Sequence, residues 1–323
     1  MIISQLTLTN YRNHNYLTYN FQKGLNIITG ENATGKTNVV EAINYLSIVR
    51  SFRTQNDADL IEKGKDSAEI FATIEEGDIR RKINIKIDSE AKHIRLNGKP
   101  ITKLSDLAKV VNVVVFEPKD VHLFKGLPKA RRNFLDINIS KKSPAYLDYL
   151  SRYEKVLKER NEILKSENPD LTLLDVTTEL LVKLSGPIVA YRELYVKDIN
   201  DILIKITRAL TGESGKIKIH YTPFVKPGKD FNKNAKEAFK RALEGDLKRK
   251  VTSIGLHRED FSVSLNERDI AIFGSQGENR IIALALKLSP YFMIEDRDKR
   301  PIVVLDDVMS ELDEKRRKFL YEK

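Results

Sequence analysis

The chain has 323 residues, 41% of them hydrophobic, with 56 Lys and Arg against 46 Asp and Glu for a net charge of +10. This predicts one large or two ordinary domains with a packed core, and excludes a wholly disordered chain. The absence of cysteine excludes disulfides, thiolate nucleophiles and Cys-type metal sites, while His14, His93, His122, His220 and His257 show no metal-ligand spacing.

The N-terminal segment reads as β: Ile3, Leu6 and Leu8 lead to Tyr11, and Leu17, Tyr19 and Phe21 alternate before Gly24. Leu25 to Thr29 is a short apolar run expected as a strand, and Val39, Val40, Ile43 and Leu46 carry helical spacing after it. Ile83, Ile85 and Ile87 alternate towards an Asn97-Gly98 turn, a hairpin signal. Val110 to Phe116 reads as a buried strand stopped by Pro118. A heptad-like rhythm then runs through Tyr146, Leu150, Tyr153, Leu157 and Leu164, interrupted by Arg160. A second helical stretch from Leu180 to Leu210 carries a bend signal at Gly186-Pro187, and a strand around Ile217 and Ile219 precedes a Lys-rich helix at 234–250. Ile302 to Leu305 is a buried-strand pattern. No run reaches the ~18 apolar residues of a membrane span, and the N-terminus lacks a signal-peptide pattern. A soluble cytoplasmic protein is expected.

Gly30-Glu-Asn-Ala-Thr-Gly35-Lys36-Thr37 is a full GxxxxGK[ST] phosphate loop, placed after an expected strand and before an expected helix. Its glycines let backbone N–H groups curl around phosphates, Lys36 suits the β/γ-phosphates of ATP, and Thr37 suits Mg²⁺. Chemistry of this kind also needs an acidic strand end. Asp306 and Asp307, following Ile302-Val-Val-Leu305, supply a second Mg²⁺ ligand and a general base for the attacking water respectively. Lys36 and Asp306 stand near opposite ends of the chain, too far apart for a compact nucleotide-binding core read straight through. The separation predicts an α/β fold: an ABC-type P-loop ATPase head assembled from both chain ends (1–140 and 251–323), with an inserted, mainly helical arm domain at 141–250.

A third motif, Ser275-Gln276-Gly277-Glu278, comes shortly before the acidic strand. In ABC-type ATPases a Ser-x-Gly-Gln-like signature at that place binds the γ-phosphate held by the other subunit. Here Glu278 stands where glutamine is usual. Ser310-Glu311-Leu312-Asp313 has the form of a dimer-contacting loop. With Asn10-Tyr-Arg12-Asn13, Lys36-Thr37-Asn38, Glu41-Ala-Ile43, Ser51-Phe-Arg53, Phe116-Glu117-Pro-Lys-Asp120, Pro128-Lys129-Ala-Arg131-Arg132 and Gly255-Leu-His257-Arg258-Glu-Asp260, the chain resembles the RecF family. These are SMC-like ABC ATPases of bacterial recombinational repair, and the resemblance covers essentially the whole length. Chromosome-condensing relatives share the phosphate loop and acidic pair, but their coiled coils are far longer than the inserted arm of this chain allows.

The resemblance implies ATP-dependent homodimerisation, slow hydrolysis that releases the dimer, and binding of duplex, gapped or single-strand/double-strand junction DNA. It implies cooperation with RecR and RecO in loading RecA. It assigns nucleotide contacts to Gly30, Asn32, Gly35, Lys36, Thr37, Asn38, Arg12, Glu117, Ser275, Gln276, Gly277 and Asp313. The sequence stops at Lys323, soon after Asp306 and short of a switch residue that the family carries further on, so poor hydrolysis by this chain is expected.

Charge is uneven. Residues 119–142 carry seven basic and two acidic residues, and 226–250 carry nine and four. Lys129, Arg131, Arg132, Lys240, Arg241, Lys248, Arg249 and Lys250 are candidate contacts to DNA phosphates. A structural ion pair is equally open to Arg131 and Arg132, and a solvated helix face to the second cluster. Two other functions fit less well: an SMC-like head with a non-productive ATP clamp, and a P-loop phosphotransferase. No Asn-Lys-x-Asp motif supports a GTPase.

Overall fold

Strand β1 (Ile2–Tyr11) shows how the first sheet chooses its faces. It pairs antiparallel with β2 (His14–Asn20) and with β3 (Ser67–Glu76). Strict alternation would put Ile3 and Leu6 on opposite faces, yet both are buried. The register with β3 slips between Ile3 and Gln5, and this one-residue bulge returns Leu6 and Leu8 to the side occupied by Ile3. In this computed structural model, which describes residues 1–101, 106–107, 110–212, 215–308 and 312–321 apart from the side chains of 315 and 319, the chain divides into two compact units, Met1–Asp120 with Leu284–Lys323, and Val121–Ala283.

In the first unit the antiparallel sheet continues through β4 (Ile79–Asp88), β5 (Lys92–Leu96) and β6 (Lys99–Pro100), in the order β2-β1-β3-β4-β5-β6. Asn97 and Gly98 join the last two strands, both at positive φ (50° and 81°), as the Asn-Gly pair predicts. Helix α1 (Lys36–Ile48) is buried from Val39 to Ser47 and shares one core with the inner residues of β1, β3 and β4. β7 (Val113–Phe116) is buried along its whole length and pairs in parallel with β11 (Ile302–Leu305), in the register Ile302↔Val113 to Leu305↔Phe116. A continuous apolar run is what a strand covered on both faces requires. Residues 25–29, expected as a strand, form none; Leu25 and Ile27 are 58% and 69% exposed. The side chain of Asn26 instead bonds the N–H and C=O of Gln22 (2.9 and 2.8 Å), closing a local turn in place of a ladder.

The second unit is mainly helical: α2 (Pro128–Lys142), α3 (Pro144–Lys165), α4 (Leu171–Thr211) and α5 (Phe231–Arg249). β8 (Ile217–Thr222), β9 (Asp260–Leu265) and β10 (Arg268–Asp269) form a small antiparallel sheet, followed by the short α6 (Ile270–Phe273) and by α7 (Gln276–Phe292), whose last residues count with the first unit. α4 runs 41 residues through Gly186 and Pro187 as one helix, capped by Asp170, which accepts the N–H groups of Thr172 and Leu173. Phe231 packs against Gly186, where a β-carbon would stand 3.4 Å from its ring.

Buried arginines cross-link this unit. Arg160, the residue that breaks the apolar rhythm of α3, is fully buried and bonds Asp246 (2.9 Å), Thr252 (2.7 Å) and Thr178 (3.1 Å). Arg192 bonds Asp136 (2.8 Å) and Glu259 (2.5 Å). Removing one partner of such a buried pair strands the other and costs about 3–5 kcal/mol. Tyr146, Tyr153 and Tyr195 are buried as core, as their helical spacing predicts. A final helix, α8 (Glu314–Tyr321), follows β11; Ser310 and Glu311 of the expected dimer-contacting loop lie outside the described residues.

Candidate functional site

Local backbone geometry shapes the phosphate loop. Gly35 is the N-cap of α1 at φ 95°, in the left-handed region that glycine enters without steric cost. A β-carbon there would also come within 2.6 Å of Asn13 Oδ1 and nearer still to the His14 ring. No side chain caps α1 and no acidic residue stands in its first turn. The unpaired N–H groups and partial positive charge of the helix start are therefore left for an anion. Lys36 Nζ folds back and donates to the carbonyls of Gly30 and Glu31, both at 2.7 Å. Gly30 and Asn32 lie exposed on the same loop.

Beside the loop, Thr37 and Asp306 meet. The two are brought close enough, across the whole length of the chain between them, for the threonine hydroxyl to favour the charged form of the Asp306 carboxyl. The Asp306 N–H donates to Phe116 O at 3.0 Å, so Glu117 and Asp306 leave the carboxyl ends of two adjacent parallel strands. That edge is where α/β sheets bind ligands. Burial, and secondarily the charge of Asp307, push the Asp306 pKa up against the opposing pull of Thr37, Arg53 and Lys36. Hydroxyl and carboxylate oxygens are the ligands Mg²⁺ takes, and a carboxylate whose charge is disfavoured gains from a bound cation. The residues present thus fit the ion. Asp307 is exposed at φ 52°, a left-handed position that costs a non-glycine residue about 1 kcal/mol. Such strain concentrates at functional sites. Glu117 is nearly buried, its pKa raised by that burial against the pull of Lys119, whose Nζ lies 2.9 Å away.

A buried carboxylate escaped the sequence reading as part of the site. Glu41 is fully buried on α1 and accepts Arg12 Nε and Nη2 (2.9 and 2.7 Å) and Ser51 Oγ (2.5 Å), with Arg53 at 3.6 Å. Arg53 also donates to Asn38 Oδ1 (2.6 Å), and Asn38 Nδ2 donates to Asn13 Oδ1 (2.7 Å). Residues 12, 13, 38, 41, 51 and 53 form one hydrogen-bonded frame around the first turns of α1. Arg12, 18% exposed by its side chain and itself at φ 56°, is held in this frame and is not a free surface cation. The clue was present: Glu41 interrupts the apolar run Val39, Val40, Ala42, Ile43, and an acid on a buried helix face needs a buried partner.

The signature motif, in the second unit, has a different state. Ser275 caps α7: its Oγ accepts the Glu278 N–H (3.2 Å) and donates to Glu278 Oε2 (2.7 Å), and the Ser275 N–H donates to the same oxygen (2.8 Å). This is a reciprocal capping box, and it gives Glu278 a role. The bonds to Ser275 hold the Glu278 pKa below the usual carboxylate range. Gln276 and Gly277 are exposed, and Ile272 and Phe273 just before them are 72% and 67% exposed. Asp313 is exposed and accepts the Arg316 N–H at 2.9 Å.

Of the two roles open to Arg131, the structure shows the ion pair. It is buried, bidentate to Asp260 at 2.7 Å on both nitrogens, and its Nη1 reaches the carbonyls of Leu123, Phe124 and Gly126. With its donors spent inside the fold, it is corrected out of the phosphate-facing set. Arg132 is half-buried and donates to Glu259 O at 2.7 Å. Lys129, Lys240, Arg241, Lys248, Arg249 and Lys250 are exposed. Among the described residues no helix is long and apolar enough to cross a membrane, and no cluster of three His, Asp or Glu could hold a metal.

A phosphate loop opening a buried helix, an acidic strand end beside its threonine, and a signature serine at a second helix start define a P-loop ATPase head of the SMC type. Residues 2–322 match the RecF/RecN/SMC N-terminal domain. A DNA replication and repair protein RecF of Oceanobacillus iheyensis is 36% identical over 99% of this chain and 89% of its own length, and that of Bacillus subtilis is 38% identical over the same shares. This chain therefore belongs to the RecF family of DNA replication and repair proteins. Among solved structures, the recombination mediator protein RecF-ATPrS in the RecFOR pathway superposes with a TM-score of 0.92 at 30% identity, covering 99% of this chain and 89% of that one. A Smc head domain from Pyrococcus furiosus, 16% identical with a TM-score of 0.52, shares the fold alone.

Proposed function

We propose that this chain binds ATP and Mg²⁺ at the phosphate loop, dimerises around them, and in that state holds duplex DNA at gaps or junctions during recombinational repair in the cytoplasm. The observation that carries the reading is the Thr37–Asp306 contact. It joins the phosphate loop to the acidic strand end, as a nucleotide-bound metal requires. In this reading Lys36 leaves the carbonyls of Gly30 and Glu31 for the β/γ-phosphates, while Gly30, Asn32, Gly35 and Asn38 line the phosphate path. Thr37 and Asp306 hold Mg²⁺, which when bound offsets charge on the phosphate oxygens. Asp307 takes a proton from the attacking water as its oxygen bonds to the γ-phosphorus; the bond to the β-phosphate oxygen breaks, leaving ADP and inorganic phosphate.

Residues 1–140 and 251–323 serve as the head and 141–250 as the arm. Arg12 acts through its frame beside the nucleotide, Glu117 flanks the strand ends, and Ser275, Gln276 and Gly277, with Asp313, meet the nucleotide of a second copy. Lys129, Arg132, Lys240, Arg241, Lys248, Arg249 and Lys250 supply phosphate contacts to DNA. A structural relative's place in a RecFOR pathway supports RecO and RecR as partners in loading RecA. The test is the oligomeric state of wild type and Lys36→Ala with ATP, with and without duplex DNA, alongside turnover. ATP-driven dimers of wild type alone, with turnover raised by DNA, support the reading. A monomer indifferent to ATP sinks it.

A further inference from the structure

The second unit contains a pocket of about 540 Å³ lined by Arg241, Arg249 and Arg258 with Ala238, Ala242 and Ser253. Phe224 also lines it, its ring packed edge-on against Phe231 and Phe239. Three arginines line this recess, and among the described residues no carboxylate pairs with any of them. Two acids of the same helix are engaged elsewhere: Asp246 is fully buried, paired with Arg160 at 2.9 Å and accepting Ser253 Oγ and N–H, while Glu244 pairs with Lys248 at 2.6 Å. Like charges gathered without a counter-charge repel one another, and a bound anion removes that cost.

The helix is built to make room for them. Ala238, Ala242, Gly245 and Arg249 recur at i, i+4, i+7 and i+11 on α5, so small residues occupy the stripe on which the recess opens. Arg249 folds back along that stripe: a β-carbon on Gly245 would stand 3.0 Å from its Nη2. Arg258 enters from the 3₁₀ turn Leu256–Arg258, whose preceding Gly255 takes φ 118° with the Tyr153 hydroxyl packed against it. The arginines thus converge from two separately anchored segments.

We infer that this recess seats a phosphate group, held by the planar forks of Arg241, Arg249 and Arg258. Exposed Lys240, Lys248 and Lys250 flank it on and just beyond the same helix, extending the positive field beyond a single anion. That continuity favours a backbone phosphate of a nucleic acid over a free phosphate compound, and this choice rests on the DNA-binding reading above.

The experiment compares two double variants that lose the same charge: Arg249→Ala with Arg258→Ala in the pocket, and Lys229→Ala with Lys233→Ala on the same stretch outside it. Binding of a 20-base-pair duplex is measured between 50 and 200 mM salt by fluorescence anisotropy, with thermal melting to establish folding. For a seated backbone phosphate, the pocket variant binds about 10-fold or more weakly and its log–log salt slope falls by about 1, while the control changes less. Ala242→Glu, which keeps all three arginines but places a carboxylate among them, reproduces the loss. A second arm titrates inorganic pyrophosphate in a Lys36→Ala background. Loss of pyrophosphate binding in the pocket variant, with duplex binding equal in both double variants, assigns the recess to a free phosphate compound. If wild type binds no duplex, the DNA reading fails and the pyrophosphate arm alone decides the pocket. Equal behaviour of both double variants towards duplex and pyrophosphate overturns the proposal.

Discussion

Two helix starts in this molecule carry phosphate-binding motifs, and they are finished in opposite ways. α1 begins at Gly35 with no side-chain cap and no acid in its first turn, whereas α7 begins with Ser275 and Glu278 satisfying each other's N–H groups. The first is an open anion site whose lysine is parked on neighbouring carbonyls. The second is self-satisfied, its carboxylate already taking donors that an incoming phosphate would use. A motif marks where phosphate chemistry is possible; the cap decides whether the helix start waits for a ligand or must first give up an internal one.

The sharpest test of the open start concerns Asp307, proposed above to activate the attacking water. Asp307→Asn is expected to lower turnover by about 10²–10⁴-fold while ATP-driven dimers persist, measured by phosphate release and light scattering. Unchanged turnover would remove Asp307 from the role of base. Lys36→Ala is expected to weaken ATP binding about 100-fold, read by equilibrium binding of a fluorescent analogue, because two or more charge-assisted bonds are lost. Wild-type affinity in that variant would erase the contrast between the two helix starts.

At the closed start, Glu278→Gln keeps a capping-box side chain but removes its charge. Dimer formation with ATP is expected to strengthen about 2- to 5-fold. A weaker dimer would mean that the carboxylate helps the partner's nucleotide. The two sites should also differ in pH response. The Glu278 pKa is lowered, so its contribution to stability is present above the ordinary value of 4.5 and fades as pH falls through the folded value; the group is almost fully exposed, so the effect is small. The Asp306 pKa is raised, so its charged form costs stability, a cost that appears as pH rises through the folded value. Mg²⁺ needs that charged form, and its affinity should fall as pH is lowered towards the same value, whereas capping at Ser275 is still intact there. Carboxyl NMR titrations with and without Mg²⁺ check both signs. Midpoints displaced in the same direction would break the comparison.

The phosphate loop was legible because its eight residues are contiguous and its four fixed positions, Gly30, Gly35, Lys36 and Thr37, each have a stated task. The Thr37–Asp306 meeting was legible for a different reason: metal chemistry demands it, whatever the distance along the chain. The frame around Glu41 was not, because its contacts depend on the β1–β2 turn lying over α1, and no local pattern encodes that packing. Arg131 shows a second limit, since a basic cluster reads alike whether its side chains face water or spend every donor inside. Residues 25–29 show a third: an apolar run suffices for a strand only when a partner's ladder is available, and here the Asn26 side chain is tied to the Gln22 backbone in a local turn.

The 41-residue helix α4 is pinned at two points by charged or hydroxyl groups, Thr178 to Arg160 and Arg192 to Asp136 and Glu259. Along the helix the two pins stand about 21 Å and close to four whole turns apart. One inserted residue between them would swing one pin by about 100° and shift it by about 1.5 Å, pulling an arginine away from its buried acids. Steps of seven or eleven residues would restore the facing but still displace one pin by about 10 or 16 Å, so any change of length between the pins should cost one of the two contacts. The helix is a ruler whose two marks fix the spacing of the elements it is tied to.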